Sequence, residues 1–280
     1  MVNHFYPETL EEALTELNQN EYLIVSGGTD VMIQYRSWSD TPLKTKKPLL
    51  FIHQLKELNT ILEEKDYINV GACVTLSHLL KSPLIPKILK STIIEIASPG
   101  IRNTATLGGN IANASPAADG VCTLIALDAL VEIKSLYSTR TVKIEHLITG
   151  VKKTSLLPNE IITTIKIPNF QHDYQCFYKV GGRKADAISK VSLAVVANMS
   201  EGRITKWRLA FGAVGPKVIS DMTKDETLVG KTIDEIKQSV QSIQALYAPL
   251  IHPIDDQRST KQYRTTVANN LIKKFIEALV

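Results

Sequence analysis

Residues 97–120 read ASPGIRNTATLGGNIANASPAADG, and this stretch decides how the rest of the chain is understood. It sets four amide or carboxylate side chains (Asn103, Asn110, Asn113, Asp119) and four hydroxyls (Ser98, Thr104, Thr106, Ser115) around the glycine pair Gly108 and Gly109. As a solvated connection it would be unusually long, and loops of that length are commonly functional. A second pair, Gly27 and Gly28, sits in a similar context, SGGTD at residues 26–30. Glycine lets backbone N–H groups approach an anion closely and turn toward it, which makes a phosphate-binding concavity. Thr29 adds a hydroxyl donor, and a short helix expected from Asp30 onward adds its positive end. Either pair alone suits an ordinary tight turn equally well. No two glycines in the chain are separated by a single residue, so GxGxxG is excluded, and Gly230 before Lys231 lacks the upstream glycine of a P-loop. A dinucleotide held by these turns is held outside the Rossmann arrangement.

Outward from the two turns, the chain alternates short strands and helices. A helix is expected from Leu10, with Thr9 and Glu12 at capping-box spacing and Leu10, Ala13, Leu14 and Leu17 on one face. Strands are expected at 22–25, 49–52, 67–70, 130–134, 140–144 and 161–167, and helices at 76–81, 85–96 and 122–127, with Asp119 as a candidate N-cap for the last. Beyond Pro168 the pattern changes to three extended segments, 176–180, 189–198 and 204–214, with Glu201 and Gly202 as a tight turn. Helices at 233–247 and from Ser259 to the end follow, the latter with Ser259 and Gln262 at capping-box spacing. This is an α+β pattern rather than a doubly wound sheet, with a boundary expected between 168 and 169.

The composition narrows the function. The 280 residues are 44% hydrophobic and 21% charged, enough for a sizeable core and two domains. A formal net charge of +4 without a basic stripe gives no nucleic-acid signal. No apolar run approaches the ~18 residues of a membrane span, and the first residues show no secretory pattern. Cys73, Cys122 and Cys176 are scattered without a CxxC, which suits a reducing cytoplasm and leaves the chain without the four thiolates of an iron–sulfur or zinc site. The six histidines have no ligand spacing, so no metal is expected.

Four segments together carry a resemblance over essentially the whole chain: SGGTD at 26–30, IRNTATLGGNIANASPAAD at 101–119, FYKVGGRKADAISKVSLAV at 177–195 and DDQRSTKQYRTTVANNLI at 255–272. In this order they resemble the FAD-binding (medium) subunit of the molybdenum hydroxylases, the xanthine dehydrogenase and carbon monoxide dehydrogenase family. The resemblance implies a two-subdomain, PCMH-type FAD-binding domain over 1–168 and a smaller α+β flavoprotein domain over 169–280. It implies FAD as cofactor, cradled by Val25, Ser26, Gly27, Gly28, Thr29 and Asp30 and by Thr106, Leu107, Gly108, Gly109 and Asn110. Asp119, Ile162 and Lys179 match further family positions beside FAD. Lys179 would otherwise be an ordinary surface lysine of a strand.

Two departures stand out. Ser26 replaces the family's usual alanine, and Ala187, Ile188 and Ser189 stand where many members read D-I-A, with Asp186 one place earlier.

The resemblance further implies a molybdenum cofactor-binding large subunit and a 2Fe–2S small subunit as partners. Electrons would pass through FAD to NAD+ or another acceptor, with a purine such as xanthine as the leading substrate of the complex. No catalytic acid or base is expected on this chain. A self-contained flavin oxidoreductase and an assembly subunit without a redox role remain as alternatives.

Overall fold

The computed structural model describes residues 3–37, 41 and 44–280. The chain opens with a small parallel sheet of β1 (His4–Phe5), β2 (Leu23–Val25) and β3 (Leu49–Phe51), ordered β1-β3-β2. Helix Leu10–Gln19 buries Ala13, Leu14 and Leu17 against it, the stripe expected from the 3.6-residue period. Thr9 accepts from the Glu12 N–H at 3.2 Å, but the Glu12 carboxylate reaches back to the Glu8 N–H at 2.7 Å. The capping box expected there is half formed.

Strands β4 (Ile61–Glu63), β5 (Tyr67–Gly71), β6 (Leu130–Lys134), β7 (Thr139–Lys143), β8 (Ile148–Gly150), β9 (Lys153–Thr154) and β10 (Ile161–Pro168) follow. Five of them form an antiparallel sheet ordered β4-β5-β10-β6-β7, and β8 pairs with β9 in a separate hairpin. The stretch 97–120 is not an open loop. It holds the short helices Pro99–Arg102 and Leu107–Ala112 and the start of helix Asp119–Ala126. One or two turns each are too short to print a helical period on the sequence, so the turn residues dominated the expectation.

The C-terminal sheet is β11 (Tyr174–Val180), β12 (Val191–Ser200) and β13 (Arg203–Gly212), all antiparallel. Glu201 and Gly202 turn between the last two with φ of +51° and +74°. β12 serves two cores by strict alternation. Val191, Leu193, Val195 and Ala197 pack with helix Lys261–Glu277, while Ala194 and Val196 face the core of the FAD-turn region. Helix Asp119–Ala126 lies on that second face and is buried at all eight positions, which explains its unbroken apolar run from Val121 to Ala126 around one threonine.

Several helix ends differ from expectation. Ala118, not Asp119, occupies the N-cap position, and Asp119 is the first helical residue. Thr260 rather than Ser259 caps the last helix, accepting from the Tyr263 N–H at 3.3 Å. The helix expected over 233–247 breaks at Ser239 into Ile233–Gln238 and Val240–Tyr247, the first opened by a complete Thr232–Glu235 capping box. No helix among the described residues is long and apolar enough to cross a membrane.

A buried ionic chain ties the two halves together. Asp128 accepts from Arg208 at 2.7 Å and Lys206 at 2.8 Å, and Arg208 also donates to Asp225 at 2.8 Å. The Tyr247 hydroxyl donates to Asp225 at 2.6 Å. Burial pushes the Asp225 carboxyl up to about 6 against the pull of Tyr247 and Arg208. A folded-state value above the unfolded ~3.9 means that this group's contribution is fully present below about pH 4 and is lost as pH rises through 6. The unfolding free energy of the wild type minus that of Asp225→Asn is therefore expected to fall between pH 4 and 6.5 and level off above. Urea titrations across that range check it, and a flat difference would contradict the assignment.

Candidate functional site

Both glycine turns press backbone against backbone. A Cβ on Gly27 would stand 2.2 Å from the Thr104 carbonyl oxygen, and one on Gly108 would stand 2.6 Å from the carbonyl oxygen of Ala72. Gly28 sits at φ +71°, where side chains are disfavoured. The first turn follows β2, and the second forms helix Leu107–Ala112, whose N-cap Thr106 accepts from the Gly109 N–H at 3.1 Å. Ser26 joins them: its hydroxyl lies 3.0 Å from the Thr106 hydroxyl and donates to the Cys73 sulfur at 3.2 Å. Burial pushes that thiol up to about 11.

Between the turns and the C-terminal sheet lies a cavity of about 580 Å³. Ser26, Gly27, Gly28, Thr29 and Asp30 line it from the first turn, Thr106, Gly108, Gly109 and Asn110 from the second, and Asp119, Ile162 and Lys179 from farther along the chain. Val25 and Leu107, also expected at the site, are instead buried beneath the turns, Leu107 in the main core. The N–H groups of Gly27, Gly28, Thr29 and Asp30 find no protein acceptor among the described residues. The Asn110 side-chain oxygen is buried without a partner among the described residues, and a Cβ on Gly120 would stand 2.7 Å from it. Unspent donors on a glycine cradle suit a phosphate group, and an orphaned buried amide oxygen suits a donor supplied by a ligand. The lining therefore fits a dinucleotide.

Lys179 is not a solvated strand lysine. Its ammonium, on a side chain only 7% exposed, sits 2.8 Å from Asp119 and donates to the Glu95 carbonyl at 2.7 Å. The other Asp119 oxygen accepts from the Ser189 hydroxyl at 2.6 Å. Arg102 takes the neighbouring carbonyls of Ile96 at 2.8 Å and Ala97 at 2.6 Å, so two cations close the end of helix Lys87–Glu95 where its negative pole emerges. Ala97 is held there at φ +49° and lines the cavity.

Sequence patterns missed a second charged group at the cavity. Lys152 turns the β8–β9 hairpin and sits 2.6 Å from both Asp30 and the Asn113 side-chain oxygen. Gln34 bonds the same two residues. Partial burial raises the Asp30 carboxyl, but the bonds from Lys152 and Gln34 outweigh it and hold the group below the usual carboxylate range. Nothing in the local sequence of a lysine 122 residues away announces this contact.

Comparison with known proteins follows the same lines. Residues 1–170 match the family described as the FAD binding domain in molybdopterin dehydrogenase, and residues 176–279 match the CO dehydrogenase flavoprotein C-terminal domain. The chain belongs to this molybdopterin dehydrogenase flavoprotein family. Its cofactor is FAD. It is 29% identical to a xanthine dehydrogenase FAD-binding subunit of Escherichia coli, over 97% of this chain and 94% of that one. It is 28% identical to the nicotinate dehydrogenase FAD-subunit of Eubacterium barkeri, over 98% and 95%. Among solved structures, carbon monoxide dehydrogenase from Hydrogenophaga pseudoflava, in a form lacking the Mo-pyranopterin moiety, superposes with a TM-score of 0.91 at 25% identity, covering 99% of this chain and 96% of that one.

A side chain at Gly109 would meet the Thr106 hydroxyl at 2.8 Å and project from the second turn. Gly109→Val is expected to fold yet lose FAD on gel filtration. The flavin-to-protein absorbance ratio checks this; a normal ratio in the folded variant would remove the turn from the site.

Proposed function

We propose that this chain is the FAD-carrying electron-transfer subunit of a molybdenum hydroxylase complex, with a domain division at 168/169. It receives electrons from a 2Fe–2S small subunit served by a molybdenum cofactor-binding large subunit, and delivers them to NAD+ or another carrier. The observation that carries the reading is the cavity between two glycine turns, the first of which has the N–H groups of residues 27–30 unspent among the described residues. Support for a partner-dependent role comes from the cysteines. Burial raises the thiols of Cys122 and Cys176 to about 12 each and Cys73 to about 11, so none is poised as the thiolate that ligates a cluster.

Bound FAD supplies the one- and two-electron chemistry. The amides of residues 27–30 hold the diphosphate, with Thr29 and Thr106 adding hydroxyls. Gly108, Gly109 and Asn110 set the depth of the site, and Ile162 gives it an apolar wall. Asp119 and Lys179 fix charge at the far end, where the pair is neutral as a unit. Relatives named for xanthine and for nicotinate favour an N-heterocycle as the substrate oxidised by the complex, with a purine first among them. Thiols kept free in all three cysteines go with a reducing, cytoplasmic setting.

Two measurements test this. The isolated chain should retain FAD but not oxidise purines, and adding the molybdenum and iron–sulfur subunits should restore substrate-dependent flavin reduction. Purine oxidation by the purified single chain would sink the assignment. Removing the Lys179 ammonium leaves the Asp119 carboxylate uncompensated, so Lys179→Met should lower the flavin midpoint potential in a spectroelectrochemical titration. An unchanged midpoint would place the pair too far from the ring to act on it.

A further inference from the structure

The charge inventory of the cavity is short of cations. Its lining carries four carboxylates, Asp30, Asp119, Glu160 and Asp186, against two ammoniums, Lys152 and Lys179. Most of these are committed elsewhere. Asp119 and Lys179 are buried against each other, Glu160 is held by Arg140 through two bonds of 2.7 Å, and Asp186 pairs with Arg183. Of the two lining ammoniums, Lys179 is buried with its partner, whereas the side chains of Lys152 and Asp30 are 41% and 52% exposed. An FAD diphosphate brings two further negative charges beside Asp30, the last residue of the first turn. Left uncompensated, like charges at that spacing in a partly desolvated cleft oppose binding.

The backbone shows that the position of Lys152 is imposed. It lies at φ +55°, a region that non-glycine residues occupy only when their surroundings over-determine it. Its N–H donates to the Ala114 carbonyl at 3.0 Å, and Ala114 is itself at φ +47°. Two strained residues thus lock the hairpin tip onto the segment that follows the second glycine turn. The strain delivers one ammonium to the rim of the first.

We propose that Lys152 is a ligand of the FAD diphosphate, exchanging its bond to Asp30 for a phosphate oxygen when the cofactor binds. In the empty site the Lys152–Asp30 pair is neutral, and in the filled site the same lysine offsets one of the two diphosphate charges, with Gln34 keeping its bond to Asp30. This rests on the placement of the diphosphate at residues 27–30 proposed above.

The test uses the flavin-stripped full-length chain titrated with FAD by calorimetry, together with phosphorus NMR of the bound diphosphate. Loss of a charge-assisted bond predicts that Lys152→Met weakens FAD binding by about ten- to a hundredfold. Lys152→Arg should recover most of it. FAD loaded at saturation on Lys152→Met should show displaced phosphorus resonances, while the thermal transition of the apo variant stays near that of the wild type. Affinity unchanged in Lys152→Met, or an affinity loss with the phosphorus resonances unmoved, would reduce Lys152 to a bolt between the turns and overturn the proposal. Failure of the wild-type chain to bind FAD at all would overturn it together with the function on which it rests.

Discussion

Helix Asp119–Ala126 is the element on which the rest of the structure depends, because it is buried on every side and anchored by charge at both ends. At its start Asp119 reaches across to Lys179 on β11 and Ser189 before β12. Just past its end Asp128, at φ +57°, receives Arg208 and Lys206 from β13. Between them Cys122 donates to the Ala210 carbonyl at 3.2 Å. Burying its apolar side chains contributes roughly 1.5–3 kcal/mol each, but apolar burial is not directional. The ion pairs supply direction: they fix how far the helix slides and turns against the C-terminal sheet. They also fix the cavity, since Asp119 belongs both to the helix and to the lining.

The opposite side of the cavity is set by steric exclusion rather than charge. Gly27 against Thr104 and Gly108 against Ala72 leave no room for a Cβ, so the two turns approach until their backbones touch. A site built this way presents main-chain donors at fixed positions, with little side-chain entropy left to lose on binding. Ser26 adds a hydroxyl link between the turns that an alanine could not make. The departure from the family pattern at Ser189 works in the same sense, supplying a bond to Asp119 from the segment where the D-I-A aspartate is replaced by Ala187. In both places a small polar residue stiffens the frame of the cavity without adding charge to it.

What was legible in the sequence follows from the range of the forces involved. The α+β architecture and most strands could be read because period-2 and period-3.6 burial is a local pattern, as in Leu10–Gln19 and β12. Gly27, Gly28, Gly108 and Gly109 could be singled out because both pairs are bracketed by hydroxyl and amide or carboxylate side chains. The helices inside 97–120 could not, being too short to repeat the period that would reveal them. Asp119 looked like a cap because an acidic residue before an apolar run usually is one; its long-range partners drew its carboxylate away from the helix N–H groups. Lys152 was invisible for the same reason, since its meaning lies in residues 30 and 113 rather than in its neighbours.

The cysteines bear on whether such a chain can work alone. A redox centre of its own, beyond a flavin, would need ligands that are deprotonated and convergent. Cys73 lies under the first turn, Cys122 within the buried helix and Cys176 on β11, and each is raised by burial rather than lowered by a nearby cation. Among the described residues no three histidine, cysteine or acidic side chains are grouped to hold a metal ion. The acids at the cavity are likewise engaged by Lys179, Arg140 and Arg183. Such a chain has donors for binding and charge for orientation, and among the described residues no ligand set for a cluster. Under the proposed function, electrons would enter and leave by the bound flavin alone, which is the physical sense in which such a chain would act as one subunit among several.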